Sequence, residues 1–244
     1  MKKRCLVTGV AGFIGSHLVD MLLKEDIKKV IVFDNFIRGG SHNLTQSLND
    51  NRLELFKVKG DLTSIDEVNA ATKDVDGVFH LASLSLPYCQ EYPRSALNVN
   101  IIGTFNLLDA CIKNNVKRIV FTSSSSIYGN AVYSPMDEKH PFEYRDIYAA
   151  TKLAGESLFR AFYFKYGLEY VALRFMNIYG PNGFFVFLAI FHLIIGLFGM
   201  YRITKRSSKD NPDSTYTPLP RNITPLGIEL DPTTGADISS PEKK

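Results

Sequence analysis

Three glycines near the start of the chain, Gly9, Gly12 and Gly15, constrain its fold more than any other feature. Residues 3–8 before them are predicted to form a short buried strand, and residues 13–24 have the apolar spacing of a helix. A glycine-lined strand-to-helix turn lets the backbone approach a pyrophosphate, which then lies at the helix N-terminus. The turn therefore predicts a dinucleotide site in an α/β fold, and the alternative is a tight turn without a ligand.

An acidic residue, Asp34, follows the second predicted strand at residues 30–33. A dinucleotide site requires such an acid about 20 residues after the glycines, where its carboxylate accepts hydrogen bonds from the ribose hydroxyls. The same carboxylate repels a 2′-phosphate, so the sequence favours NAD over NADP. Arg38 lies nearby in the sequence and would soften that preference. The alternative for Asp34 is a solvated turn residue.

Predicted strands and helices alternate over the rest of the first 181 residues. Further strands are predicted at residues 56–62 (a strand and turn), 78–83, 118–122 and 170–174, and helices at residues 96–113 and 147–166. The alternation predicts a Rossmann-like, doubly wound parallel sheet of the α/β class. His80, within the fourth strand, is interpreted as a packed core histidine rather than a catalytic one.

Two residues on one predicted helix, Tyr148 and Lys152, are four positions apart and so share one helix face. A phenol has a pKa of about 10, too high for a base at neutral pH. We expect the Lys152 ammonium and a positive nicotinamide ring to lower the pKa of Tyr148. The serines at 123–126 follow the fifth predicted strand and would place a hydroxyl at the same edge of the sheet as the cofactor site. A surface Tyr–Lys pair is the alternative, but the glycine turn favours redox acid–base chemistry.

Together these motifs resemble the extended short-chain dehydrogenases/reductases, specifically the NAD-dependent sugar-nucleotide epimerase/dehydratase family, over residues 1–181. The matching segments are residues 8–15, Asp34, Asp61-Leu62, 80–83, 100–104, 123–129, the Tyr148/Lys152 pair and 173–181. Ser83 departs from the family pattern, which has alanine there.

The resemblance implies roles for individual residues. Tyr148, Lys152 and Ser124 are implied to be catalytic, and Ser124, Ser125, Tyr148 and Asn177 to bind substrate. The implied NAD site comprises Gly9, Gly12, Phe13, Ile14, Gly15, Asp34, Asn35, Asp61, Leu62, Leu81, Ala82, Asn100, Tyr148 and Lys152.

The residues after Ser124 bear on which reaction the resemblance implies. Sugar-nucleotide dehydratases have an acid there, because the loss of water needs a general acid and base. This chain has Ser125 and Ser126 instead. The resemblance therefore implies 4-epimerisation of a nucleotide sugar, with UDP-hexose as the expected substrate class, by transient oxidation at C4. A nucleotide-sugar 4-ketoreductase is the second alternative, and the sugar itself stays open.

After the family-like domain at residues 1–181, the chain departs from the family pattern. Residues 184–201 are apolar and uncharged, as a membrane-spanning helix would be, and residues 202–244 form a polar, proline-rich tail expected to be disordered. The family's second, substrate-binding domain is expected to be missing. A fusion or truncation product would explain this change, and a catalytically silent NAD-binding remnant tethered to a membrane is the alternative function.

Composition excludes some classes of protein. The net charge of +3 and the lack of a basic patch argue against nucleic acid as a partner. Three scattered cysteines favour reduced thiols in the cytoplasm, where the NAD-binding domain is expected. We expect no metal site. A homodimer would pair through helices 96–113 and 147–166, as members of the family often do.

Overall fold

A six-stranded parallel sheet forms the centre of the described structure. The computed structural model describes residues 3–56 and 60–179. The strands are β1 (Lys3–Thr8), β2 (Ile27–Phe33), β3 (Leu53–Leu55), β4 (Gly77–His80), β5 (Arg118–Ser124) and β6 (Glu169–Phe175). Their order in the sheet is β3-β2-β1-β4-β5-β6. The order reverses between β1 and β4, and this topological switch point is where open α/β sheets bind ligands.

Within residues 3–56 and 60–179, six α-helices flank the strands. They are α1 (Phe13–Leu22), α2 (Ile65–Ala71), α3 (Leu86–Glu91), α4 (Pro93–Ala96), α5 (Gly103–Lys113) and α6 (Ile147–Tyr166). A π-helical turn, Leu97–Ile102, joins α4 to α5, and short 3₁₀ turns lie at Ser41–Leu44 and Ser125–Tyr128. Helices alternating with parallel strands confirm the Rossmann-like α/β class predicted from the sequence.

Alternate residues of the strands point into two separate cores. Leu6 packs in one core with α2, α5 and α6, whereas Cys5 and Val7 pack in the other with α1. A strand buried on both faces must be apolar at every position, and β1 is apolar from Cys5 to Val7. The sheet is therefore covered on both faces, as a doubly wound fold requires.

The third strand lies before the strand and turn predicted at residues 56–62, of which residues 57–59 are outside the described residues. The observed β3 begins three residues earlier and pairs Leu53 with Val30 and Leu55 with Val32. Phe56 lies just beyond it, donates its N–H to the Val32 carbonyl at 3.0 Å and packs its ring against Phe33. At this edge of the sheet, two alternating leucines therefore pair with β2.

One helical run among the described residues, Pro93–Lys113, is long and apolar enough to cross a membrane by length and composition alone. Nearly half of its apolar window, 44%, is buried inside the protein, where Leu107 and Leu108 belong to the core. This pattern is that of a core helix. The apolar segment 184–201 and the tail 202–244 lie outside the described residues.

Candidate active site

A cavity of about 750 Å³ opens at the carboxyl ends of the strands, across the switch point between β1 and β4. The structure brings most of the predicted site residues to its wall. Those on the wall are Gly9, Gly12, Phe13, Ile14, Gly15, Asp34, Asn35, Asp61, Leu62, Leu81, Ala82, Ser124, Tyr148 and Lys152.

The glycine turn forms the floor of this cavity. Gly9 has a φ of +73°, and a Cβ there would lie 2.5 Å from the backbone nitrogen of Ala82. A Cβ on Gly15 would lie 2.3 Å from the Gly9 carbonyl oxygen. At Gly12, the one atom of the described residues within 4 Å of a Cβ is the Gly9 carbonyl oxygen at 3.2 Å. Gly9 and Gly15 therefore let the turn close, and Gly12 keeps the cavity floor clear before α1.

The carboxylate of Asp34 is fixed at the edge of the cavity. One oxygen accepts a hydrogen bond from the backbone of Ala11 at 2.8 Å, and the other accepts one from Phe36 at 2.7 Å. Burial raises the pKa of Asp34, and the two backbone N–H groups oppose that rise. Each carboxylate oxygen can accept a further hydrogen bond, so the group remains able to bind two hydroxyls.

Helix α6 positions Tyr148 and Lys152 in its first turns. The helix begins at Ile147 because the Asp146 side chain caps it, accepting the Ala149 N–H at 2.8 Å. The Lys152 ammonium is 5.6 Å from the centroid of the Tyr148 ring and donates to the Thr122 carbonyl oxygen at 2.8 Å. The end of β5 therefore holds Lys152 beneath Tyr148.

The lowering of the Tyr148 pKa expected beside Lys152 and a bound nicotinamide stays a prediction, and burial acts against it in the described structure. Burial raises that pKa, and the hydrogen bond with Ser124 only partly offsets the rise. Burial also lowers the pKa of Lys152 to about 8. The spacing of Tyr148 and Lys152 in the sequence indicates that the two charges are close, but it does not indicate that the phenol and the ammonium are both desolvated.

The Ser124 hydroxyl lies at the end of β5, at the start of a 3₁₀ turn. It accepts the backbone N–H of Ser126 at 3.1 Å and lies 3.0 Å from that residue's hydroxyl oxygen. Neighbouring Ser123 donates to the Glu156 carboxylate, which pairs with Arg174 at 2.8 Å. Sequence reasoning missed this ion pair, although Glu156 follows Lys152 by four residues on the same face of α6.

Three residues with expected roles in binding are not on the cavity wall as described. Asn100 is buried, where its amide holds the Leu84 backbone and the Thr151 hydroxyl, the latter at 3.0 Å. Ser125 begins the 3₁₀ turn beyond Ser124, and Asn177 is an exposed bend residue after β6. The geometry gives Asn100 a structural task, which is to fix the loop that follows β4.

His80 is a core residue, as interpreted from the sequence. It is 1% exposed, and its ring nitrogens lie 2.9 Å from the Thr8 hydroxyl oxygen and 3.0 Å from that of Thr104. Thr8 also accepts the backbone N–H groups of Leu81 and Ala82. His80 therefore connects the glycine turn to the cavity-lining loop and to α5 without reaching the cavity.

Comparisons with known proteins agree with this geometry. The model of the NAD dependent epimerase/dehydratase family matches residues 5–195. The UDP-N-acetylglucosamine 4-epimerase from Methanobrevibacter ruminantium M1, solved with UDP-N-acetylmuramic acid, is 41% identical; the match covers 74% of this chain and 57% of that one, with a TM-score of 0.69.

Relatives with other reactions are also similar. The UDP-glucuronic acid decarboxylase 6 of Arabidopsis thaliana is 36% identical over 73% of this chain and 52% of its own length. The dTDP-glucose 4,6-dehydratase DesIV from Streptomyces venezuelae, solved with NAD bound, is 31% identical over 80% of this chain and 62% of that one, with a TM-score of 0.69.

The matches cover only part of each relative. The chain spans about half the length of the curated relatives it matches, from 56% of a putative UDP-glucose 4-epimerase from Methanocaldococcus jannaschii to 40% of UDP-glucuronic acid decarboxylase 1 from Arabidopsis thaliana. The family model nevertheless covers most of the chain, including the glycine turn and the Tyr148–Lys152 pair. The chain therefore belongs to the NAD dependent epimerase/dehydratase family.

Proposed function

We propose that this protein binds NAD and catalyses 4-epimerisation of a nucleotide sugar, with a UDP-hexose as substrate. The observation that carries the proposal is a single cavity holding the glycine turn, Asp34, and the group of Tyr148, Lys152 and Ser124. The first two features suit a dinucleotide, and the last three suit proton transfer beside it.

The residues present fit NAD. Gly12 leaves open space at the start of α1, where backbone N–H groups suit a pyrophosphate, and Asp34 retains acceptor capacity for ribose hydroxyls. When bound, NAD supplies the reversible oxidation of the sugar at C4. A bound positive ring would also oppose the effect of burial on Tyr148. NAD use suits a cytoplasmic setting for the domain, which stays a prediction.

The chain's own residues would move and hold the proton. With NAD bound, the Tyr148 phenolate would take the proton of the C4 hydroxyl as C4 is oxidised, and the resulting phenol would return it when C4 is reduced on the other face. The Lys152 ammonium, anchored on the Thr122 carbonyl, lies below the phenol and favours its ionised form. Ser124 holds the reacting oxygen by a hydrogen bond. This set needs one acid–base residue, which matches epimerisation.

The placement of acids on the cavity wall favours epimerisation over dehydration. The wall residues that are described include two carboxylates, Asp34 and Asp61, and both follow strands on the β2 side of the switch point. Near Tyr148, the positions where dehydratases have an acid are Ser125 and Ser126. Loss of water needs an acid and a base at the sugar, which hydroxyls supply poorly. A 4-ketoreductase would use the same three residues and is the second candidate.

The test is turnover by the whole chain, purified in mild detergent with NAD. We expect UDP-glucose or UDP-N-acetylglucosamine to be converted to its 4-epimer. NMR of the anomeric protons measures this conversion. Reduction of an added UDP-4-keto sugar by added NADH, without interconversion of UDP-sugar epimers, would instead support the ketoreductase. Bound NAD without any product would identify a cofactor-binding remnant, and absence of NAD binding would contradict the proposal as a whole.

A further inference from the structure

The loop after β2 lies directly on the glycine turn. The Asn43 side chain donates to the Ala11 carbonyl oxygen at 2.8 Å, and Ala11 in turn donates its N–H to Asp34. Gly39 has a φ of +84°, and a Cβ there would lie 1.9 Å from the same carbonyl oxygen. The loop is therefore packed closely on the glycine turn. Arg38, the residue before Gly39, lies in this loop and lines the cavity.

The side chain of Arg38 crosses the carboxyl end of β1. Its guanidinium donates to the Ser85 hydroxyl at 2.5 Å, and both residues lie on the cavity wall. Arg38 follows β2 and Ser85 follows β4, whereas β1 lies between those two strands in the sheet. A side chain that joins the two loops must pass in front of the strand from which the glycine turn begins.

Arg38 is also distinctive in its charge. Among the wall residues that the structure describes, the two cations are Arg38 and Lys152. Lys152 is buried, and its ammonium is already bonded to the Thr122 carbonyl. Arg38 is exposed and bonded there to one neutral hydroxyl. An exposed guanidinium on the wall of a cavity that the N-terminus of α1 also lines suits a bridging dianion, because it offers paired N–H donors to phosphate oxygens.

We propose that Arg38 binds the pyrophosphate of the dinucleotide from the side opposite α1, exchanging the Ser85 hydroxyl for phosphate oxygens. The inference rests on the NAD binding of the proposed function. A 2′-phosphate is the other anion to consider, since Asp34 is only four residues away. The guanidinium, however, donates to Ser85 in the loop after β4, whereas Asp34 follows β2 and its carboxylate repels a phosphate.

The test compares Arg38→Gln with the unchanged chain by isothermal titration, with NAD, ADP and adenosine as probes. We expect NAD and ADP to bind about tenfold more weakly to the variant, the usual size for a lost charge-assisted hydrogen bond. Adenosine, which lacks phosphate, should bind both proteins equally. Added salt should weaken ADP binding more in the unchanged chain than in the variant, because salt screens the lost ionic contact.

Arg160→Gln is the matched control, since it removes an exposed positive charge from α6 without lying on the cavity wall, and should leave all three affinities unchanged. Unaltered ADP affinity in Arg38→Gln would overturn the inference, as would an equal loss for adenosine, which indicates a displaced loop. If NADP, titrated as a further probe, binds Arg38→Gln more weakly while NAD and ADP are unaffected, Arg38 is assigned to the 2′-phosphate instead and the inference is overturned. Failure of the unchanged chain to bind NAD would remove the proposed function and this inference together.

Discussion

Replacing Tyr148 with phenylalanine is expected to lower kcat for 4-epimerisation by about 10³-fold, since a positioned acid–base group typically contributes 10²- to 10⁴-fold. The ring stays in place on α6, but no proton can be exchanged with the C4 hydroxyl. Ser124 cannot substitute, because an unassisted hydroxyl is a far weaker base than a phenolate. The measurement is the rate of epimer formation under saturating UDP-sugar, followed by NMR.

The affinity for NAD supplies the control for Tyr148→Phe. We expect the dissociation constant to change little, because the contacts of the glycine turn and Asp34 are untouched. Ser126→Ala is the matched variant: it also removes one hydroxyl near Ser124 but no acid–base group, and it should retain most of the activity. Turnover that survives in Tyr148→Phe would show that another residue moves the proton.

The pH dependence offers a second check on the same residue. Burial raises the pKa of Tyr148 in the described structure, so the phenol is protonated at neutral pH without ligands. Turnover by the unchanged chain should therefore rise with pH until the phenol ionises, and the rise should end at a lower pH if bound NAD contributes its positive charge. The residual rate of Tyr148→Phe should lack this rise.

Sequence reasoning succeeded where the chemistry is local. The glycine turn needs three residues at fixed spacing after a strand, and Tyr148 and Lys152 need only one helix turn, so both were predictable without knowledge of distant contacts. Helix 147–166 was predicted with its observed bounds, because Asp146 and Gly167 mark its two ends.

Sequence patterns say least where distant segments decide the outcome. The bounds of β3 depend on pairing with β2, which no local pattern specifies. The place of Asn100 in the NAD site stays a prediction, and its amide holds the loop after β4, a contact that only the assembled fold shows. The direction of the Tyr148 pKa shift depends on burial, and burial is a property of the assembled fold.

Buried His80 is expected to make the folded protein sensitive to mild acid. Burial lowers the pKa of His80 from its ordinary value of 6.5 to about 3. The neutral form suits its neighbours: Thr8 accepts two backbone N–H groups and can donate to one ring nitrogen, while the other ring nitrogen donates to Thr104, which donates to the Asn100 carbonyl. A second ring N–H would have no acceptor at Thr8.

The sign of the effect follows from proton binding. Between pH 6.5 and pH 3 the unfolded chain binds a proton at His80 and the folded chain does not, so the free energy of unfolding falls as the pH falls through this range. At about pH 5 the loss attributable to His80 is about 2 kcal/mol relative to neutral pH. Above pH 6.5 the contribution is fully present and constant.

Urea unfolding near neutral pH and near pH 5 measures this loss, and comparison with His80→Gln separates it from the effects of carboxylates. Glutamine keeps a polar side chain between the two threonines but cannot titrate, so the variant should be less stable at neutral pH yet lose less on acidification. The exposed His42→Gln should behave like the unchanged chain. If His80→Gln does not fold, NMR titration of the His80 ring in the unchanged chain replaces the comparison. A ring that gains its proton near pH 6.5 would contradict the prediction. Protonation at the ordinary pKa would cost the folded state no stability relative to the unfolded chain.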